Sequence, residues 1–206
     1  GLYDNTASSY RLAVDTSGRV GIGTSSPSQA LHVVNPSTSY VLAETTGTGT
    51  SAGFRLKGDA SADYTLFTTQ GTNQFAIYDN AASTERLSID SSGNVLVGKT
   101  SATIATAGVE LRGNGQLFAT QDANYPLLLN RLTSDGDIAV FRKDGTTVGS
   151  IGANGGDLYI GTGDTALRFF DASDFIYPVS TSTGTARDNA IDLGYSTGRF
   201  KDLYLS

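Results

Sequence analysis

The sequence predicts an all-β fold, and three observations carry that prediction. Short apolar runs alternate with tight-turn signals along all 206 residues, the pattern of short strands joined by hairpins. Helical i, i+3, i+4 periodicity is absent from almost the whole chain. The chain also repeats itself. Residues 1–24 match residues 76–99 at a constant offset of 75, with twelve of 24 aligned pairs identical. A fixed-offset repeat implies an array of similar units, each contacting mainly its neighbours. The expected architecture is therefore an elongated series of β-hairpin modules, as β-prism or small β-sandwich units.

Taken in order, Tyr3-Asp4-Asn5 opens the first copy of the repeat and returns as Tyr78-Asp79-Asn80. Arg11–Val14 and Val20–Ile22 are rich in β-formers and flank Asp15-Thr16-Ser17-Gly18. Asp first and Gly fourth is the signature of a type I turn followed by a left-handed glycine. Asp90-Ser91-Ser92-Gly93 repeats that turn, so Gly18 and Gly93 are expected in equivalent conformations. Further hairpins are predicted at Asn114-Gly115, Asp135-Gly136, Asp144-Gly145 and Asn154-Gly155. A second repeat level aligns Ala52–Gly58 with Ala139–Gly145 at offset 87, four of seven identical. Tyr78, Thr84, Asp90 and Ser92 align with Tyr159, Thr165, Asp171 and Ser173 at offset 81. One unit thus spans roughly 80 residues, far longer than a single β-helix coil. Only Asn189–Leu205 could hold a helical turn. Stretches rich in Ser, Thr and Gly near 24–29, 100–107 and 180–185 set the expected boundaries. They give the C-terminal part of a module over 1–29, modules over 30–100 and 101–179, and a C-terminal segment over 180–206.

Composition limits what such a chain can bury. Gly, Ser, Thr, Asn and Asp supply 100 of the 206 residues, and Leu, Ile, Val and Phe only 48. Ordering each residue costs roughly 1–2 kcal/mol of backbone entropy, so a thin core needs burial between chains. Oligomerisation is expected on this ground alone. The net charge of −6 and the lack of a basic stretch argue against nucleic acid and against anionic membrane surfaces. With no cysteine, disulfides and thiolate metal sites are excluded. No apolar run approaches the ~18–20 residues of a membrane span, and no signal peptide is present, so membrane insertion is not expected. Methionine is missing even at position 1, which leads us to expect a piece of something longer.

The run Arg-Leu-x-Val-Asp-x-Ser-Gly-x-Val-Gly-Ile-Gly-Thr-x-x-Pro over Arg11–Pro27, closing on Leu31-His32-Val33, resembles repeats of bacteriophage tail fibres and tailspikes. Pro126–Arg131 with Ser134–Ile138 and Phe141–Thr146 looks like another fibre module, as does Asn189–Gly194 running on to Arg199–Ser206. In such proteins the last segment lies upstream of a self-cleaving intramolecular chaperone, and no chaperone sequence follows here. The resemblance implies a homotrimer on the virion tail that attaches to the host surface or spaces the receptor-binding tip. Its implied partners are other tail or baseplate proteins and a host glycan or outer-membrane receptor. Two rivals share the same physics: a trimeric bacterial surface adhesin and a tailspike polysaccharide depolymerase.

Chemical motifs are sparse. Gly161-Thr162-Gly163-Asp164-Thr165-Ala166 fits G-x-G-x-x-[GA], but a strand-like Leu167–Asp171 follows where a phosphate site needs a helix. A hairpin turn is the better reading. His32 is the only histidine and has no triad or ligand partner motif; Leu31 and Val33 place it on the opposite face of a strand. Of 17 Asp, most sit beside Gly, Ser or Asn in turn positions, and the only glutamates are Glu44, Glu85 and Glu110. Asp135-Gly136-Asp137 and Asn154-Gly155-Gly156-Asp157 hint at calcium without completing a known ligand spacing. Phe169, Phe170, Phe175, Ile176 and Tyr177 form a dense patch that reads as a trimer seam, with receptor recognition as its rival. The repeated Tyr3 and Tyr78 read as structural. The sequence therefore predicts no enzyme, no cofactor and no metal, and assigns no receptor-binding residue.

Overall fold

The computed structural model describes residues 1–6, 9–35, 37–47, 49–59, 61–69, 72–202 and 204. The chain divides into two compact units, Gly1–Ala123 and Asn124–Ser206. Both are all-β, as the hairpin pattern predicts. The first unit opens with a four-stranded sheet of β1 (Leu2–Asp4), β2 (Ser9–Val14), β3 (Val20–Ile22) and β4 (Leu31–Val33), adjacent in chain order. Only β3 and β4 pair in parallel. It continues with a seven-stranded antiparallel meander: β5 (Ser51–Lys57), β6 (Asp63–Thr69), β7 (Gln74–Asp79), β8 (Thr84–Ile89), β9 (Val95–Val97), β10 (Gly108–Leu111) and β11 (Leu117–Thr120). The second unit is a five-stranded antiparallel meander of β12 (Gly136–Lys143), β13 (Thr146–Asn154), β14 (Asp157–Thr162), β15 (Thr165–Phe170) and β16 (Phe175–Val179). A single 3-10 turn at Asp171–Ser173 is the one helical element among the described residues.

The segments matched at offset 75 carry the same local structure. Strands β2 and β8 share their limits under the offset, as do β3 and β9. Each pair is preceded by a strand whose ladder slips at the repeated tyrosine, between Leu2 and Tyr3 and between Ile77 and Tyr78. An ion pair crosses each ladder at the same place: Arg11 Nη2 to Asp4 Oδ2 and Arg86 Nη2 to Asp79 Oδ2, both 2.7 Å. The following turns also agree. Asp15 Oδ1 accepts from the Ser17 N–H and Asp90 Oδ1 from the Ser92 N–H, each at 2.9 Å. Gly18 and Gly93 have φ of +76° and +78°, the left-handed region that favours glycine.

Other turns follow their residues. Gly115 at φ +86° closes the β10–β11 hairpin, and Asp144-Gly145, at +49° and +79°, forms the two-residue turn between β12 and β13. Gly155-Gly156 does the same between β13 and β14. The expected hairpin at Asp135-Gly136 is not formed. Gly136 instead begins β12, and a Cβ there would lie 3.1 Å from the Arg131 guanidinium, so the glycine serves close approach. No helical turn forms among the described residues of Asn189–Leu205. The chain makes turns there with an isolated Tyr195–Gly198 bridge, while Leu203, Leu205 and Ser206 lie outside the described residues.

Charges stitch the sheets where apolar contacts are few. Lys99 and Glu110 have wholly buried side chains and meet at 2.6 Å, with Arg112 Nε on the second Glu110 oxygen at 2.9 Å. The Lys99 ammonium also donates to the carbonyls of Thr103 and Thr106, tying down the loop between β9 and β10. Hydrogen bonding to Lys99 holds the Glu110 carboxyl below its ordinary range. Asp63 is lowered by Arg55, Asp157 by Arg168, and Asp79 by the Ala82 N–H and then Arg86.

Two predictions come from this framework. Gly18→Val or Gly93→Val should cost about 1–2 kcal/mol by left-handed strain alone, because no atom lies within 4 Å of a Cβ at either site. Asparagine, which tolerates that region, should be nearly neutral at both; chemical denaturation measures each. The second concerns pH. Carboxyls with lowered folded pKa contribute stability above their unfolded values, near 3.8 for Asp and 4.5 for Glu. That stability is lost as pH falls through the folded values. Thermal midpoints should be flat from pH 7 to about 5 and drop below about 4.

Candidate functional site

The candidate chemical motifs fall in the turns and strands of the sheets. Gly163 and Asp164 are the two central residues of the β14–β15 hairpin, Thr162 facing Thr165 across it, and a strand follows. His32 lies across from Gly21 and Ala13, on the face opposite Leu31 and Val33, and its Nδ1 accepts from the Ser28 N–H at 3.3 Å. Asp137 accepts from the Tyr159 hydroxyl at 2.7 Å and Asp135 from the Gly155 N–H at 2.8 Å. Asp157 engages Arg168. The glutamates are separated in role: Glu110 is locked in its buried ion pair, Glu85 accepts from Gln74 at 2.8 Å, and Glu44 is exposed. Among the described residues no cluster of three or more His, Asp or Glu is placed to hold a metal.

What the geometry does assemble is an apolar surface. In the seven-stranded sheet the register places Phe54, Leu66, Ile77, Leu87, Val97, Val109 and Ala119 in one unbroken row across all strands. A second row on the same face runs Ala52, Thr68, Phe75, Ile89, Val95, Leu111 and Leu117. This face is open: Phe54 is 50% exposed, Leu111 49% and Leu117 62%. The opposite face carries the row Gly53, Phe67, Ala76, Ser88, Leu96, Glu110 and Phe118, in which Ala76, Ser88, Leu96 and Glu110 are buried. One side of the sheet is thus covered by the chain's own loops and charges, and the more apolar side is left bare.

The other two sheets repeat that asymmetry. In the first, Leu2, Leu12, Ile22 and Val33 form a row on the open face, with Ala13 buried behind it. In the third, Ala139, Ile151, Ile160, Leu167 and Pro178 line up on one face, while Tyr159, Ala166 and Val179 are buried on the other. Strand alternation splits the predicted aromatic patch. Phe169 and Ile176 join the open face; Phe170, Phe175 and Tyr177 cluster on the covered one, with Phe170 and Phe175 stacked at 5.1 Å and Arg168 5.2 Å above the Phe170 ring. Tyr3 packs edge-on to Tyr10 at 5.0 Å and Tyr78 to Phe67 at 6.3 Å.

Sequence reading found the shortage of core but missed where it falls. The signal was present in each strand, as apolar residues at alternate positions facing Gly, Ala, Ser or charge. The Lys99–Glu110 pair was also missed, although Glu110 interrupts Val109 and Leu111, and Lys99 stands where the first repeat has Thr24. Compared with family models, with curated proteins and with solved structures, the chain has no match.

Proposed function

We propose that this chain is a segment of a viral tail fibre: a homotrimeric, all-β shaft of repeated hairpin modules that attaches to, or holds a receptor-binding tip against, the host surface. The observation that carries the reading is the bare apolar face in each of the three sheets. Three copies turning these faces toward a common axis would bury them, as a β-prism does. The tail-fibre resemblance of Arg11–Val33 and of the later modules supports the viral setting and the threefold count. Strand length weighs against a membrane barrel, the other home for an apolar sheet face. Strands of the seven-stranded sheet are three to seven residues long, whereas a membrane-spanning strand needs about 9–11. A passive role fits the engagement of Asp79, Asp157 and Glu110 in ion pairs and of Asp15 and Asp90 in turns. Three parallel copies would strengthen weak surface contacts by avidity.

Light scattering of the folded protein should give three times the 21.4 kDa chain mass; a stable monomer would refute the reading. Val97→Asp places a charge in the middle of the open face and should abolish the oligomer, since an unpaired charge buried there is strongly disfavoured. Incubation with capsule or lipopolysaccharide should release no oligosaccharide. Reproducible product lost on mutation of an Asp pair would favour a depolymerase instead.

A further inference from the structure

Two segments have the chemistry of strands without being strands. Tyr40-Val41-Leu42-Ala43-Glu44 runs without regular structure just before β5, with Tyr40 87% and Leu42 79% exposed. Leu127-Leu128-Leu129-Asn130 runs in the same way before β12, with Leu128 79% exposed. Neither segment has a backbone hydrogen bond to any described residue. The offset of 87 that aligns Ala52–Gly58 with Ala139–Gly145 also carries Tyr40–Leu42 onto Leu127–Leu129. The feature therefore occupies the same place in two modules, directly upstream of the first strand of a sheet.

The location of the first segment decides what it must do on assembly. Val41, Leu42 and Ala43 line a cavity of about 290 Å³ together with Ala52, Phe54 and Leu66, which belong to the open apolar face. Anything that covers this face also covers the segment. Buried backbone N–H and C=O groups are almost always paired, and leaving one unpaired is costly. The chain itself offers these groups no partner among the described residues. It does present free sheet edges: β5 and β12 each end their sheets, with one side of the strand unpaired.

Resting on the assembly reading above, we infer that Tyr40–Glu44 and Leu127–Asn130 become strands only in the oligomer, by pairing with a free sheet edge of a neighbouring copy. Each copy would give a strand to one neighbour and accept one from the other. Such head-to-tail contacts close into a ring under threefold symmetry. Main-chain pairing of this kind supplies affinity, and alternate side chains supply register.

Hydrogen–deuterium exchange on the assembled protein tests the inference directly. Amides of 40–44 and 127–130 should be protected at least a hundredfold over unstructured peptide rates, like those of β6. Exchange at unstructured rates in a protein of confirmed trimer mass overturns this inference and leaves the fibre reading standing. A monomer mass overturns the fibre reading itself. Leu42→Pro removes one N–H and should weaken assembly at least tenfold, while Leu42→Val should retain it. The exchange pattern of β6–β8 reports whether the proline variant still folds. A folded Leu42→Pro variant that assembles like the parent also overturns the inference.

Discussion

Successive residues of a strand point to opposite faces of a sheet, and every other feature of this chain answers to how those two faces are used. One face of each sheet carries an unbroken row of mostly aliphatic residues, and aromatic residues such as Phe67 and Phe170 lie on the other. On the seven-stranded sheet the two rows through Leu87 and Ile89 are apolar at every position but Thr68. The chain has too few further apolar residues to build a second layer over them.

The covered faces are held by different means. Small residues such as Ala76 and Ser88 are buried there, beside the Lys99–Glu110–Arg112 ion pairs. Lys99 illustrates the economy. Its one ammonium meets Glu110 and two loop carbonyls, so a buried charge also fixes the path from β9 to β10. Buried pairs contribute little net stability but are costly to break, which suits a scaffold that must hold one register. Arg168 has a similar place in the five-stranded sheet, joining Asp157, Asn154 and the Tyr177 hydroxyl. On this side the fold is specified by polar geometry more than by volume.

The same reliance on polar contacts extends to the carboxylates of the turns and ladders. Asp15 and Asp90 are engaged in their turns, Asp79 and Asp157 with arginines, and Asp137 with Tyr159.

By itself the sequence determined most of the local structure. The all-β class, the left-handed Gly18 and Gly93, the Asp144-Gly145 hairpin and the strand after Gly163 were legible because turn chemistry acts over four or five residues. Local reading failed where a residue served a distant contact. Gly136 looks like a turn glycine yet admits the Arg131 guanidinium, and Glu110 looks like a surface charge yet is wholly buried beside Lys99. The division of Phe169 from Phe170, and of Phe175 from Ile176, required the register of β15 with β16. Only the tertiary structure decided which face of each sheet the chain covers and which it leaves bare. That outcome depends on where loops such as Thr100–Ala107 come to rest, and long-range pairing across the sheets fixes those positions where neighbours in sequence do not.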